Sequence, residues 1–217
     1  MKNKTSKIKI AQVDLNKGYS DLITSCSFSA DYIFMIIMAT VLCILGFVMD
    51  SETVIIGAMV VSPLLNPIVA FGASIIRRDK KNIFRILKII IFGLLIAILL
   101  STIISFIWSS DLHQSELISK LQGKEFVYFL VAIISGMVAI WCFYWPKATQ
   151  AVTGIAIAIA LIPPIAILGI GIAANHSIIP MAASIVVLNI SGIFLGSMIV
   201  LLFLRAYSKK NKDKGIV

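Results

Sequence analysis

Three polar side chains and four prolines form the part of this sequence best placed to do chemistry. Ser62, Pro63, Asn66 and Pro67 fall inside V-I-I-G-A-M-V-V-S-P-L-L-N-P-I-V-A-F-G-A-S-I, from Val54 to Ile75. Pro163 and Pro164 fall inside G-I-A-I-A-I-A-L-I-P-P-I-A-I-L-G-I-G-I-A, from Gly154 to Ala173. Asn189 lies in V-L-N-I-S-G, two residues before Ser191. Proline removes a backbone N–H and clashes with the carbonyl four residues back, so it opens polar backbone inside a helix. In hydrocarbon such groups persist only where protein buries them or a wet cavity bathes them. The chemistry on offer is coordination. Freed carbonyls, the Ser62 hydroxyl and the Asn66 and Asn189 amides would hold a neutral solute or an ion. The other role for Asn189 is a hydrogen bond to a neighbouring helix or to a carbonyl freed by proline.

Bond-making chemistry has no candidates. No Asp, Glu, Lys, Arg or His lies near the centre of an apolar run. That argues against a proton relay and leaves no acid, base or metal cluster for an active site. The chain is expected not to be an enzyme and to hold no metal and no cofactor. His113 and Glu116 are two ligands at i, i+3, too few for a closed metal site, and they read as loop residues, as does His176. Cys26, Cys43 and Cys142 are widely spaced and read as small packing residues. Asp50, Ser51 and Glu52 read as helix-capping groups; the alternative is a cation-attracting mouth.

The elements that carry these residues are membrane spans. The hydrophobic share is 59% and the charged share 13%, about half that of a soluble domain. Six runs are long enough to cross a bilayer: roughly 32–49, 53–75, 86–108, 126–145, 149–174 and 178–204. Reading both ends as cytoplasmic puts 17 of the 19 Lys and Arg on one side, leaving only Lys120 and Lys124 outside. The positive-inside rule then predicts a multi-pass protein of the plasma (inner) membrane with both termini cytoplasmic. The net charge of +9 points to anionic inner-leaflet lipids of the bilayer, not to nucleic acid. Residues 1–30 are a basic cytoplasmic segment, 31–207 the membrane domain and 208–217 a basic tail. No removable signal peptide is expected. Within the first segment, over residues 7–26, Ala11, Leu15, Tyr19, Ile23 and Cys26 fit one face of an interfacial helix, though a mobile tail fits equally.

Three spans in each half require any internal repeat to be inverted. The fold expected is all-α: six transmembrane helices as a 3+3 inverted repeat, halves 31–110 and 125–207, with proline-broken second and fifth helices. Sliding the halves by 100 places Pro63 on Pro163, Ala58 on Ala158 and Ala73 on Ala173. Gly192 and Gly196 form a G-x-x-x-G that favours close helix packing, within one subunit or across a dimer. Trp108 and Tyr128 mark an outer aromatic belt; Tyr32, Tyr144, Trp145 and Tyr207 mark an inner one.

Four stretches carry a family resemblance: I-I-G-A-M-V-V-S-P-L-L-N-P-I at 55–68, S-G-M-V-A at 135–139, G-I-A-I-A-I-A-L-I-P-P at 154–164 and L-N-I-S-G-I at 188–193. Over about 31–204 the chain resembles the bacterial and archaeal uncharacterised hydrophobic domain family, domain of unknown function 389. The resemblance implies a polytopic membrane domain and supplies no catalytic residues. Larger members resemble this chain with a soluble region added. The functional expectation therefore rests on the broken helices: a small secondary transporter or channel-like permease for a small solute or ion, with its pathway between the halves. The rival is a membrane scaffold or regulatory partner in which prolines only kink helices. Assembly into a homo-oligomer stays open.

Overall fold

The computed structural model describes residues 15–108, 112, 115–120, 123–144, 161–173 and 176–213. All their regular structure is helical: α1 Leu15–Thr24, α2 Ala30–Val48, α3 Glu52–Val61, α4 Leu65–Arg77, α5 Lys80–Ile107, α6 Glu116–Ser119, α7 Glu125–Tyr144, α8 Ile162–Ala173 and α9 Ile179–Asp213, with a 3-10 turn at His176–Ile178.

Among the described residues, four helices are long and apolar enough to cross a membrane: α2, α5, α7 and Ile179–Tyr207 of α9. A fifth crossing arises if α3 and α4 are one span, bent by 46°. The chain is thus a multi-pass helical membrane protein with four or five candidate crossings among the described residues, where the sequence predicts six. Of the remaining run, 149–174, the described residues include α8, whose 12 residues rise about 18 Å, short of a hydrocarbon core of about 30 Å. Residues 149–160 lie outside the described residues, as do Trp145 and His113.

Outward faces are apolar, as lipid requires: Phe34, Leu99, Ile103, Phe106, Ile134 and Phe203 are all exposed. Inside, buried hydroxyls spend their hydrogen on their own helix. Thr40 donates to the Ile36 carbonyl at 2.8 Å, Ser74 to Ala70 at 2.8 Å and Ser105 to Ser101 at 2.6 Å. The cost of burying a polar group is offset without a partner helix.

The closest packing joins α7 to α9. A methyl at Gly192 would lie 2.7 Å from Ala132 Cβ and 2.9 Å from the Phe129 carbonyl. At Gly136 or Gly196 it would collide with the carbonyl of Ile193 or Ile133. The G-x-x-x-G therefore seats a helix of the same subunit. In the rest of the bundle, α4 lies against α5 and α9, α8 against α5 and α9, and α2 against α3 and α5.

Polar clasps close both ends of the bundle. At one end, Asp50 sits in the left-handed region (φ 48°) between α2 and α3. Its Oδ1 accepts from Ser115 Oγ at 2.9 Å and from the Leu117 N–H at 3.2 Å. Lys120 reaches Glu52 at 3.4 Å. Leu117 and Ile118 are buried by this folding-back. Ser51 takes the N-cap position of α3 without a side-chain bond, so Asp50 acts as a tether to the loop and not as a cap.

At the other end α1 is a docked helix, which decides between the two expectations for it. Leu22 and Cys26 are buried, and Leu15, Tyr19 and Ile23 pack partly buried against the core. Arg77 donates to Asn16 Oδ1 at 3.0 Å and to the Leu15 carbonyl, and stacks 4.4 Å over the Tyr19 ring. Arg85 holds the Cys26 carbonyl at 2.6 Å. Tyr19 Oη donates to Asp79 Oδ2 at 3.1 Å. Asp79 in turn N-caps α5, accepting from the Asn82 N–H at 3.2 Å and the Asn82 side chain at 2.7 Å.

These bonds, the Asn82 N–H first, hold the Asp79 carboxyl below the usual carboxylate range. A lowered folded-state pKa stabilises above the unfolded value and loses that contribution as pH falls through the folded one. The cap should therefore hold at neutral pH and weaken below about pH 4. Thermal melting between about pH 3 and about pH 7 should show Asp79→Asn losing part of the wild type's acid sensitivity; identical profiles would remove this role.

Candidate functional site

The chain leaves helix at Ser62, Pro63 and Leu64, between α3 and α4. Ser62 is extended (ψ 125°), as the residue before a proline prefers. Its N–H turns to the Met59 carbonyl at 3.3 Å, the carbonyl that the N–H missing from Pro63 would have reached in a continuous helix. The Leu64 N–H points to Ser62 Oγ at 3.5 Å. With 10 residues before the break and 13 after it, the arms rise about 15 Å and about 20 Å. The interruption thus falls near the middle of the bent pair.

The prolines divide into two kinds. Pro63 separates two helices. Pro67 is the third residue of α4, where a missing N–H costs no intrahelical bond. Pro163 and Pro164 are the second and third residues of α8 and begin that helix in the same way. Whether a helix precedes them depends on 151–160, which lie outside the described residues. Pro67, Pro163 and Pro164 are buried; Ser62, Pro63 and Asn66 are half-buried. Asn189 is 4% exposed and already engaged.

Two contacts set the depth of these groups. A methyl at Gly72 would lie 2.7 Å from Ser197 Oγ on α9. One turn further along α4, the Ile76 carbonyl accepts from Arg205 at 3.0 Å. Both contacts advance in the same sense, so α4 and α9 run parallel. Six residues before Gly72 is Asn66, and six before Ser197 is Ser191. Asn66 therefore sits at the level of the Asn189–Ser191 segment.

A second contact of the same kind joins α8 to α5. A methyl at Gly169 would collide with Ser101 Oγ. Ser101 and Ser197 are both fully buried, and each donates to the carbonyl three residues back, Ile98 at 3.0 Å and Phe194 at 2.8 Å. Aligning α4 with α8 by their first residues brings Pro67 onto Pro164 and Gly72 onto Gly169, a shift of 97. The sequence slide of 100 pairs Pro63 with Pro163 instead. Four residues, Gly72, Gly169, Ser101 and Ser197, escape sequence reasoning because small residues are common in membrane helices.

A family model described as a domain of unknown function (DUF389) matches residues 59–195, more than half of the chain. The chain belongs to the DUF389 family. The DUF389 region begins within α3 and ends within α9, so it contains the break, the Gly169–Ser101 contact, Gly72 and Asn189, while α1 and α2 precede it and Ser197 follows it. An uncharacterized protein of Methanocaldococcus jannaschii is 28% identical over 175 residues, covering 78% of this DUF389 chain and 54% of the relative. The chain thus spans about half the length of that relative. No solved structure matches.

Proposed function

We propose that this protein is a small secondary transporter or channel-like permease whose site lies at the α3–α4 break, level with Asn189. The observation that carries the reading is the interruption itself. An uncharged apolar segment leaves helix near its middle and places the last carbonyls of α3 opposite the first N–H groups of α4. Such half-helix ends suit a small polar solute or an ion. Ser62, Asn66 and Asn189 would add side-chain ligands. The α8 start, with Pro163 and Pro164, would face it from the other half.

The matched Gly72–Ser197 and Gly169–Ser101 contacts support an inverted repeat. In each, a glycine of one half's middle helix meets a buried serine on the other half's last helix. A six-span arrangement in the plasma membrane, with α1 and the Arg77–Lys88 segment cytoplasmic, follows from the charge bias. Cysteines introduced at 80 and 114 in a Cys-free variant test it: only position 114 should label from outside intact cells.

The second reading, a scaffold or regulatory partner, is favoured by the buried hydroxyls, which are satisfied within their own helices. Flux separates the two. Proteoliposomes would be screened with small solutes and ions, with and without ion gradients. Asn66→Leu should lower flux by roughly tenfold while leaving the melting temperature nearly unchanged, the size of one lost ligand hydrogen bond. Pro163→Ala with Pro164→Ala should also lower it, by letting helix extend backward from α8. Unaltered flux in both variants would hand the lead to the scaffold.

A further inference from the structure

The outward face of α5 at the basic end combines two lysines with exposed aromatic rings. Lys81, Phe84 and Lys88 fall at i, i+3 and i+7, on one side of the helix, and all three are exposed. Phe84 is 66% exposed; below it Phe92 is 51% exposed and meets Phe28, also 51% exposed, at a centroid distance of 5.8 Å. Phe28 in turn meets Tyr32 at 6.2 Å. Arg85, between the lysines in sequence, is spent on the Ile23 and Cys26 carbonyls. The two ammonium groups are therefore the cations that this face turns outward, Lys81 also within electrostatic reach of Asp79.

Helix length fixes their depth. The 28 residues of α5 rise about 42 Å against a hydrocarbon core of about 30 Å. Trp108 closes the far end of α5, where an indole settles at the interface. The surplus, about eight residues by the same rise, then falls at the lysine end. Lys81 stands in the headgroup layer and Lys88 at the edge of the hydrocarbon, its ammonium reaching outward past Phe84. The lysine Cα atoms are about 10.5 Å apart along the axis, so a lipid phosphate between them meets one cation from each side. Its acyl chains would lie along Phe92 and Phe28, below Phe84 at the phosphate level.

We propose that this face is a binding site for one anionic phospholipid, held by Lys81 and Lys88. The proposal rests on the reading of the basic end as facing an anionic leaflet, and not on transport. A zwitterionic lipid fits less well because its own cation would compete with the lysines.

The test places a reporter in the site. Phe84→Trp protein would be reconstituted into phosphatidylcholine vesicles containing a minor share of brominated phosphatidylglycerol or of brominated phosphatidylcholine. Both leaflets then carry both lipids, so a wrong orientation or an absence of flux leaves the readout intact. The emission of the native tryptophans is subtracted using the unsubstituted protein. Brominated phosphatidylglycerol should quench the introduced indole at least twofold more than brominated phosphatidylcholine. Lys81→Gln with Lys88→Gln should abolish that preference. Lys17→Gln with Arg78→Gln, which removes two positive charges from the same end but off this face, should keep it. Inorganic phosphate at millimolar concentration should not displace the lipid. Equal quenching by the two lipids in the Phe84→Trp protein, or equal loss in both double variants, would overturn the site, the latter showing bulk charge alone. Displacement by phosphate would show a general anion site and equally overturn it.

Discussion

Gly196→Leu should leave no stably folded protein in detergent. The α7–α9 contact is backbone against backbone. A Cβ at Gly196 would collide with the Ile133 carbonyl and lie 3.0 Å from the Met137 nitrogen. No rotamer relieves such a clash, so the helices must separate, and the packing around Ile193 and Ile140, both fully buried, goes with it. Gly196→Ala should already cost about 2–3 kcal/mol, at the upper end for overpacking. Gly57→Ala is the contrast. It sits in α3 with nothing within 4 Å, so alanine's better helix propensity should be neutral or add up to about 1 kcal/mol. Fluorescence-detected size exclusion after a heat ramp would rank the three. Equal melting of Gly57→Ala and Gly196→Ala would mean that α7 and α9 are not in this contact.

The second large effect concerns the matched Gly–Ser contacts, and there the two sites should behave differently. At Gly72 the close neighbour is Ser197 Oγ at 2.7 Å; the next atoms are at 3.5 and 3.6 Å. Gly72→Ala should cost about 1–2 kcal/mol, and Ser197→Ala should restore nearly all of it by removing the offending oxygen. At Gly169 a new Cβ would meet Ser101 Cβ at 2.7 Å and the Thr102 nitrogen at 2.9 Å as well as Ser101 Oγ. Ser101→Ala should therefore rescue Gly169→Ala only in part. Double-mutant cycles read from melting temperatures give the coupling directly. Absence of coupling at both pairs would remove the structural support for related halves.

Much of this architecture is legible in the residues. Asp and Glu are absent from the centre of every run, prolines punctuate two of them, and Ser29 before Ala30 caps α2 by accepting from the Tyr32 N–H at 3.2 Å. The interruption at Pro63 is readable because the preceding residue is driven out of the helical region. Pro67 is harder. Proline reads as a breaker, yet in the first turn it is compatible with helix, and only the position of Leu65 as the first helical residue tells the two apart. The same ambiguity covers Pro163 and Pro164. Asp50 is legible as a capping residue and not as a tether, because its partners Ser115 and Leu117 are more than 60 positions away. The α1 docking depends likewise on carbonyls of Leu15, Ile23 and Cys26 meeting Arg77 and Arg85, and a main-chain acceptor leaves no trace in residue type.

The bend between α3 and α4 has a bearing on the membrane itself. Its first arm is fixed at Asp50 to the loop carrying Ser115, and its second arm is fixed at its far end through Asp79 to Tyr19. Arms of about 15 Å and about 20 Å meeting at 46° reach about 32 Å end to end, against about 35 Å if straight. That difference matches the spread in thickness between natural bilayers, a few ångströms. Were both ends anchored at the two interfaces, a thicker bilayer would straighten the joint at Ser62–Leu64 and draw the carbonyls of α3 toward the axis of α4, and a thinner one would fold them apart.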